Sequence, residues 1–290
     1  MTNVIKIGSR KVGEGNPVYV VAEIGINHNG DLNSAKDMIL SAKDTGADAV
    51  KFQKRTPELC VPKEQRNIKR ETPWGYITYM EYRERVEFGE ADYREINRFC
   101  KETGIDWFVS VWDEPSVDFM EKFDTVCYKL PSASLTDHKL LQKVRATKRP
   151  MIISTGMSTP EQIDEAVKVI GLKDLVILHS TSCYPCDPVE LNLMVISTLK
   201  EKYDCPIGYS GHEVGLITSV VSVGLGASMV ERHFTLDRAM WGSDQAASVE
   251  PGGFRRLVKY IRVTEMALGD GVKCVYDSEK SSMKKLRRYL

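Results

Sequence analysis

The sequence has little of what would mark a secreted, membrane-spanning or nucleic-acid-binding protein. Its seven cysteines are an odd number at irregular spacing, which argues against a disulfide framework. No apolar run reaches 18 residues, so no membrane span is expected. The first fifteen residues lack the apolar stretch of a secretory signal. Charge of one sign is absent too: 40 Lys plus Arg balance 40 Asp plus Glu, and nothing in the bulk charge points to nucleic acid or a membrane surface. A cytoplasmic location is the resulting expectation. One close pair of thiols exists, Cys183-Tyr184-Pro185-Cys186, but a zinc knuckle would need a second pair. It is read as two thiols that fall together in a loop between a strand and a helix.

What the chain does have is alternation. Eight short β-rich apolar runs recur: 19–24, 49–52, 107–111, 126–130, 151–155, 175–179, 206–209 and 228–233. Their continuous apolar character suits strands buried on both faces. Helical periodicity fills the intervals. Ala35, Met38, Ile39 and Ala42 fall at i, i+3, i+4 and i+7, as do Ile163, Ala166, Val167 and Ile170, and Phe254, Leu257, Val258 and Ile261. Ser158 or Thr159 before Pro160 supplies an N-cap with proline in the first turn. Eight such units over residues 19–270 fit an α/β (β/α)8 TIM barrel better than an open doubly wound sheet. Residues 1–18 are expected to form a small hairpin capping the barrel, and 271–290 a C-terminal extension. Residues 54–89 are a long charged insertion bearing Trp74, Tyr76, Tyr79 and Tyr82. Loops of that length are functional or disordered, and the aromatics speak for order.

In such a barrel the chemistry sits where the strands end. Polar residues stand there in nearly every unit: Glu23; Lys51 and Gln53; Ser110 with Asp113; Lys129 and Ser132; Ser154; His179 and Ser182; Ser210 and His212; His233. One lysine at a strand end is unremarkable as a surface group. Two lysines, several hydroxyls and two histidines on one rim describe a site for an anion and a metal. Lys51 and Lys129 are expected to clamp a phosphate or carboxylate, with Ser132, Ser154 and Ser210 adding hydrogen bonds. His212 and His233, on neighbouring units, are expected to share a divalent ion. His138 beside Asp137 reads as a local helix-start residue, while His28 stands just above the first strand as a further candidate.

At this point the motifs form a recognisable set. Ala22-Glu23-Ile24-Gly25-Ile26-Asn27-His28-Asn29-Gly30 and Gly46 to Gln53 resemble the opening of the sialic acid synthase family. Tyr128-Lys129-Leu130-Pro131-Ser132, Ile153-Ser154-Thr155-Gly156-Met157, Gly208-Tyr209-Ser210-Gly211-His212-Glu213, Glu231-Arg232-His233-Phe234-Thr235 and Gly242 to Pro251 follow in the family's order. The G-Y-S-G-H-E and G-S-D forms, with Trp74-Gly75 and Glu87-Phe88, look closer to the eukaryotic N-acylneuraminate-9-phosphate synthases than to many bacterial relatives.

The resemblance implies an enzyme that joins phosphoenolpyruvate to N-acetylmannosamine, its 6-phosphate or a related hexose, giving a 3-deoxy-2-keto sugar acid and phosphate. It implies that Lys51, Ser110, Lys129, Ser132, Ser154 and Ser210 hold phosphoenolpyruvate. His212 and His233 would bind the metal, Mn2+ or Mg2+. Glu23, Gln53, Ser182, Tyr184 and Asp244 would face the sugar. Glu23 is the expected carboxylate for stabilising a cation at carbon 2 or managing the water's proton. A homodimer is implied as well. Val111 stands where many members carry a threonine, so one phosphate contact is missing or supplied by Ser110 or Asp113; Ser134 and Ser182 replace an acidic residue and an asparagine of many members, which points to an altered acceptor side. The sequence stops at Lys284-Lys285-Leu286-Arg287-Arg288-Tyr289-Leu290. A similar stretch in the family leads into a C-terminal antifreeze-like domain whose arginine reads the acyl group. Two other readings are a Schiff-base pyruvate aldolase and a non-catalytic sugar-phosphate-binding barrel.

Overall fold

The computed structural model describes residues 4–289. Residues 1–3 of the expected N-terminal hairpin and Leu290 of the expected extension lie outside the described residues. Eight parallel strands close into a barrel in sequence order. They are β1 Tyr19–Gly25, β2 Ala49–Lys54, β3 Asp106–Val111, β4 Tyr128–Leu130, β5 Met151–Ser154, β6 Leu175–Ser180, β7 Ile207–Gly211 and β8 Met229–His233. Closure runs through β8 and β1, where Met229 pairs with Tyr19 and His233 with Glu23.

The surrounding helices form where apolar residues recur every third or fourth position. Ala35, Met38, Ile39 and Ala42 are the buried side of the helix Leu32–Asp44, and Phe254, Leu257, Val258 and Ile261 that of Pro251–Leu268. On Pro160–Ile170 the buried residues are Ile163, Ala166 and Ile170, with Val167 packed at the margin. Thr159, not Ser158, is the cap there: its side chain accepts from the Gln162 N–H and proline occupies the first turn.

Two features outside the repeat close the ends. The hairpin of Val4–Ile7 and Arg10–Gly13 sets Ile5, Ile7 and Val12 under the barrel, against Tyr19, Phe108, Ile152 and Met229. At the opposite end the insertion after β2 is ordered, with a hairpin of Lys69–Thr72 and Gly75–Thr78 followed by the helix Tyr79–Val86. Its Trp74 and Tyr82 pack edge-on against Trp241 from the loop after β8, with ring centroids 5.9 and 5.1 Å apart. The insertion therefore spans the rim. Among the described residues no helix is long and apolar enough to cross a membrane.

Candidate active site

Side chains alternate across a strand, so every second residue points into the barrel. The interior cluster shows which set that is: Tyr19 and Val21 on β1, Ala49 on β2, Phe108 on β3, Ile152 on β5, Val176 and Leu178 on β6, and Met229 on β8. Continuing each series by two gives Glu23, Lys51, Ser110, Ser154, Ser180 and Glu231, then Gln53 and His233. The interior thus changes from apolar to polar along the barrel axis. The polar end opens into a cavity of about 280 Å3. Glu23, Lys51, Gln53, Ser110, Lys129, Ser132, Ser154, Ser182, Tyr184, Ser210, His212, His233 and Asp244, all singled out in the sequence, line it.

At the floor the charges are matched. Lys51 Nζ lies 2.9 Å from Glu23 Oε2 and donates to Ser110 Oγ at 2.7 Å. Lys129 Nζ donates to both oxygens of Glu231 at 3.0 Å, and Ser210 Oγ donates to Glu231 Oε1 at 3.2 Å. Each lysine that the sequence offers as an anion clamp is thus already paired with a carboxylate. A buried ammonium needs a partner, and the barrel interior supplies two carboxylates. Burial disfavours the Lys51 ammonium, but Glu23 and Glu231 outweigh it and hold its pKa above the ordinary lysine value. For Lys129 burial prevails and the pKa is lowered despite Glu231. Burial would raise Glu231, but Lys129 and Lys51 hold its carboxyl below the usual range.

Hydroxyls complete this floor. The buried Oγ atoms of Ser154, Ser180 and Ser182 have no hydrogen-bond partner within the protein. Buried polar groups in native proteins are normally satisfied, so three orphans in one cavity indicate a polar ligand. Gly156 makes the arrangement fit: a Cβ there would stand 2.3 Å from Ser182 Oγ and 2.8 Å from Ser132 Oγ.

On the wall above, His212 and His233 face each other with ring centroids 5.6 Å apart. His212 Nδ1 lies 2.7 Å from the Thr181 carbonyl, an acceptor only, so this nitrogen carries the proton and Nε2 keeps its lone pair. Burial, helped by His233, lowers the His212 pKa to about 4, so the ring is neutral at neutral pH. His233 Nδ1 is buried without a hydrogen-bond partner, with Asp244 Oδ2 at 3.8 Å. The Tyr184 ring packs on His212 at 4.1 Å. Two adjacent imidazoles with a free nitrogen each are a fitting pair of ligands for one ion. Among the described residues no group of three His, Cys, Asp and Glu side chains is placed to hold a metal.

The residue next to each histidine faces outward, and these two meet. Arg232 Nη1 donates to Glu213 Oε1 at 2.9 Å, with both side chains essentially fully buried. Tyr209 Oη donates to Glu213 Oε2 at 2.8 Å, and Arg232 reaches the Gly215 carbonyl at 2.8 Å. This ion pair ties the end of β7 to the end of β8 just behind the imidazoles.

Other candidates fall elsewhere. His179 has the outward parity and bonds the Leu191 carbonyl at 2.6 Å. His28 stacks on Phe88 at 4.0 Å and accepts from the Gly30 N–H, a structural role outside the cavity. Asp113 caps the helix Glu114–Met120 and receives Thr56 Oγ1 at 2.9 Å. Ser134 is buried but does not line the cavity, so of the three departures only Ser182 does. Cys183 is exposed and Cys186 buried, both as free thiols. Sequence reading missed Glu231, Ser180, Arg55 and Arg83, which also line the cavity. Glu231 and Ser180 were available from parity, two residues from His233 and Leu178; Arg83 comes from the distant insertion and had no such signal.

A profile of the NeuB family matches residues 38–273. The N-acetylneuraminate-9-phosphate synthase of Homo sapiens is 40% identical over 283 residues, covering 96% of this chain and 78% of that protein. The N,N'-diacetyllegionaminic acid synthase of Legionella pneumophila is 35% identical over 281 residues, 94% of this chain and 79% of that protein. Among solved structures, the N-acetylneuraminic acid synthetase of Leptospira borgpetersenii superposes with a TM-score of 0.87 at 30% identity, covering 100% of this chain and 99% of that one. A profile matched over most of the chain, relatives alike along nearly its whole length and the same barrel lead to one assignment: the chain belongs to the NeuB family.

Proposed function

We propose that this protein condenses phosphoenolpyruvate with an aldehyde sugar, N-acetylmannosamine, its 6-phosphate or a related hexose, to give a sialic-acid-like 3-deoxy-2-keto sugar acid and phosphate. The observation that carries this reading is a single cavity in which unpartnered serine hydroxyls and two buried lysines lie beneath a facing pair of histidines. The names of the relatives, synthases of N-acetylneuraminate 9-phosphate and diacetyllegionaminic acid, support the same class of product.

In this reading Ser132, Ser154 and Ser210, with Lys51 and Lys129, bind the phosphate and carboxylate of phosphoenolpyruvate, and Ser182, expected on the sugar side, joins them because its hydroxyl lies with that of Ser132 against Gly156. The hydroxyls of Ser132, Ser154 and Ser182 donate, that of Ser210 being committed to Glu231, and the lysine charges favour the developing oxyanions. Gln53, Tyr184 and Asp244 orient the sugar so that its aldehyde carbon meets carbon 3 of phosphoenolpyruvate. A new C–C bond forms there and carbon 2 becomes electron-poor. Glu23, held between Lys51 and the Gln53 amide at 2.9 Å each, faces that carbon; its carboxylate offsets the positive charge and accepts a proton from the water that adds. Phosphate then leaves by C–O cleavage. His212 and His233 would hold a divalent ion, Mn2+ or Mg2+, which when bound polarises the aldehyde oxygen. Two imidazoles suit manganese better than magnesium, which prefers an all-oxygen shell.

The test is phosphate release from phosphoenolpyruvate across a panel of aldoses, before and after dialysis against a chelator. Turnover with at least one hexose, abolished by chelation and restored by manganese, is the expected result. Absence of release with every aldose, or full activity in His212→Ala, would refute this reading. Borohydride trapping with pyruvate would instead reveal a Schiff-base enzyme.

A further inference from the structure

The outer wall of the cavity carries a charge that the proposed reaction leaves unused. Arg55, just beyond β2, and Arg83, on the helix Tyr79–Val86, both line it, with only 11% and 5% of their side chains exposed. The guanidinium carbon of Arg55 lies 4.0 Å from the centre of the Trp112 ring, and the group donates to Gln53 Oε1. One carboxylate serves the whole cluster. Glu87 Oε1 is 3.3 Å from Arg55 Nε and 3.7 Å from Arg83 Nη2, while Glu87 Oε2 is also 3.6 Å from Lys54 Nζ. Arg55 Nε and Arg83 Nε and Nη2 make no hydrogen bond within the protein. Burial and the charge of Arg83 pull the Arg55 pKa down to about 10, as expected for two cations forced together.

This differs in kind from the floor, where Lys51 and Lys129 are matched by Glu23 and Glu231. Here three cations share one anion, Glu87, and the two arginines among them both line the cavity. Buried guanidinium charge that one shared carboxylate compensates only in part is costly, and its planar fork of donors suits a phosphate bidentately. Position narrows the choice of ligand. The Gln53 amide donates to Glu23 Oε1 at 2.9 Å and accepts from Arg55, so the arginines stand one side chain outward of the reacting level. A group met there belongs to a substituent of the acceptor, not to the atoms that react.

We propose that Arg55 and Arg83 form a second anion subsite, for a phosphate monoester at the far end of the acceptor aldose. This rests on the reading of the cavity as a phosphoenolpyruvate-dependent synthase. The insertion after β2 then sets acceptor choice, because it contributes Arg83 and, through Glu87, positions Arg55.

The test is calorimetric titration of N-acetylmannosamine and its 6-phosphate into the manganese-loaded protein without phosphoenolpyruvate. It compares wild type, Arg83→Gln, Arg55→Gln and Arg94→Gln, the last on an exposed part of the helix Glu90–Thr103. We expect the 6-phosphate to bind at least tenfold more tightly than the free sugar to wild type and Arg94→Gln. That advantage should disappear in Arg83→Gln and Arg55→Gln. Equal affinities for the two sugars in wild type would overturn the proposal, whatever the variants do. So would an equal loss for both sugars in the two arginine variants. A tenfold rise in the KM for phosphoenolpyruvate in Arg83→Gln, with acceptor preference kept, would move these arginines to the donor's phosphate and also overturn it. If no sugar releases phosphate from phosphoenolpyruvate, the reaction reading falls, while the binding comparison still decides the subsite.

Discussion

Neutralising Glu231 is the sharpest probe of the cavity floor. Its carboxylate meets Lys129 through both oxygens at 3.0 Å, Ser210 at 3.2 Å and Lys51 at 3.5 Å. In Glu231→Gln, Lys51 keeps Glu23 at 2.9 Å, but Lys129 loses the carboxylate it pairs with, in a site where its side chain is 2% exposed. Removing one member of a buried ion pair costs about 3–5 kcal/mol. At roughly 2 °C per kcal/mol for a chain of this size, the Tm should fall by roughly 6–10 °C at pH 7 by scanning calorimetry. The double variant Glu231→Gln/Lys129→Met removes the stranded charge as well and should recover at least half of that loss. Acid titration adds a second check. Because the folded Glu231 pKa is depressed, the unfolded chain protonates first as pH falls through about 4.3. The stabilisation is therefore complete above that pH and is lost as pH drops through the lower folded value, so wild type and variant should converge on acidification. A single variant within 2 °C of wild type at pH 7, or a double variant as unstable as the sum of the two single ones, would refute the reasoning.

Two further outcomes follow from distances in the site. Gly156→Ala places a Cβ 2.3 Å from Ser182 Oγ, and displacing the serines by about 1 Å should lower kcat/KM for phosphoenolpyruvate by roughly a hundredfold with the fold retained; unchanged kinetics would show that these hydroxyls do not hold the donor. Arg232→Met strands Glu213 and should cost about 3–5 kcal/mol, read from urea unfolding, with a weaker manganese affinity by calorimetry; Arg232→Met with Glu213→Gln should regain stability but not metal affinity if the pair also fixes the imidazole spacing.

Most of the architecture was readable along the chain because a (β/α)8 barrel repeats one local rule. Strand runs buried on both faces are continuously apolar up to their polar ends, as residues 19–22 are before Glu23, and helices between them show a single buried stripe. The polar strand ends were conspicuous for the same reason, as charges interrupting apolar runs. Reading them as a list of end residues, however, admitted His179, which alternation directs outward to the Leu191 carbonyl, and omitted Glu231, which it directs inward. Ser134 reads from the sequence as part of an altered acceptor side, whereas its side chain is buried and does not line the cavity.

By itself, then, the sequence determined the strand and helix rhythm, the inventory of lysines, serines and histidines, and the family. Each of these is carried by residues close together in the chain or by motifs in a set order. Only the tertiary structure decided how the charges pair. Lys129 and Glu231 are 102 residues apart, and nothing local indicates that the lysine of β4 meets the carboxylate of β8 across a closed barrel. The same holds for the surplus cations of Arg55 and Arg83. Whether a buried charge is matched or stranded depends on what the fold brings within about 4 Å, where the interaction is strong in a dry interior and negligible along an unfolded chain.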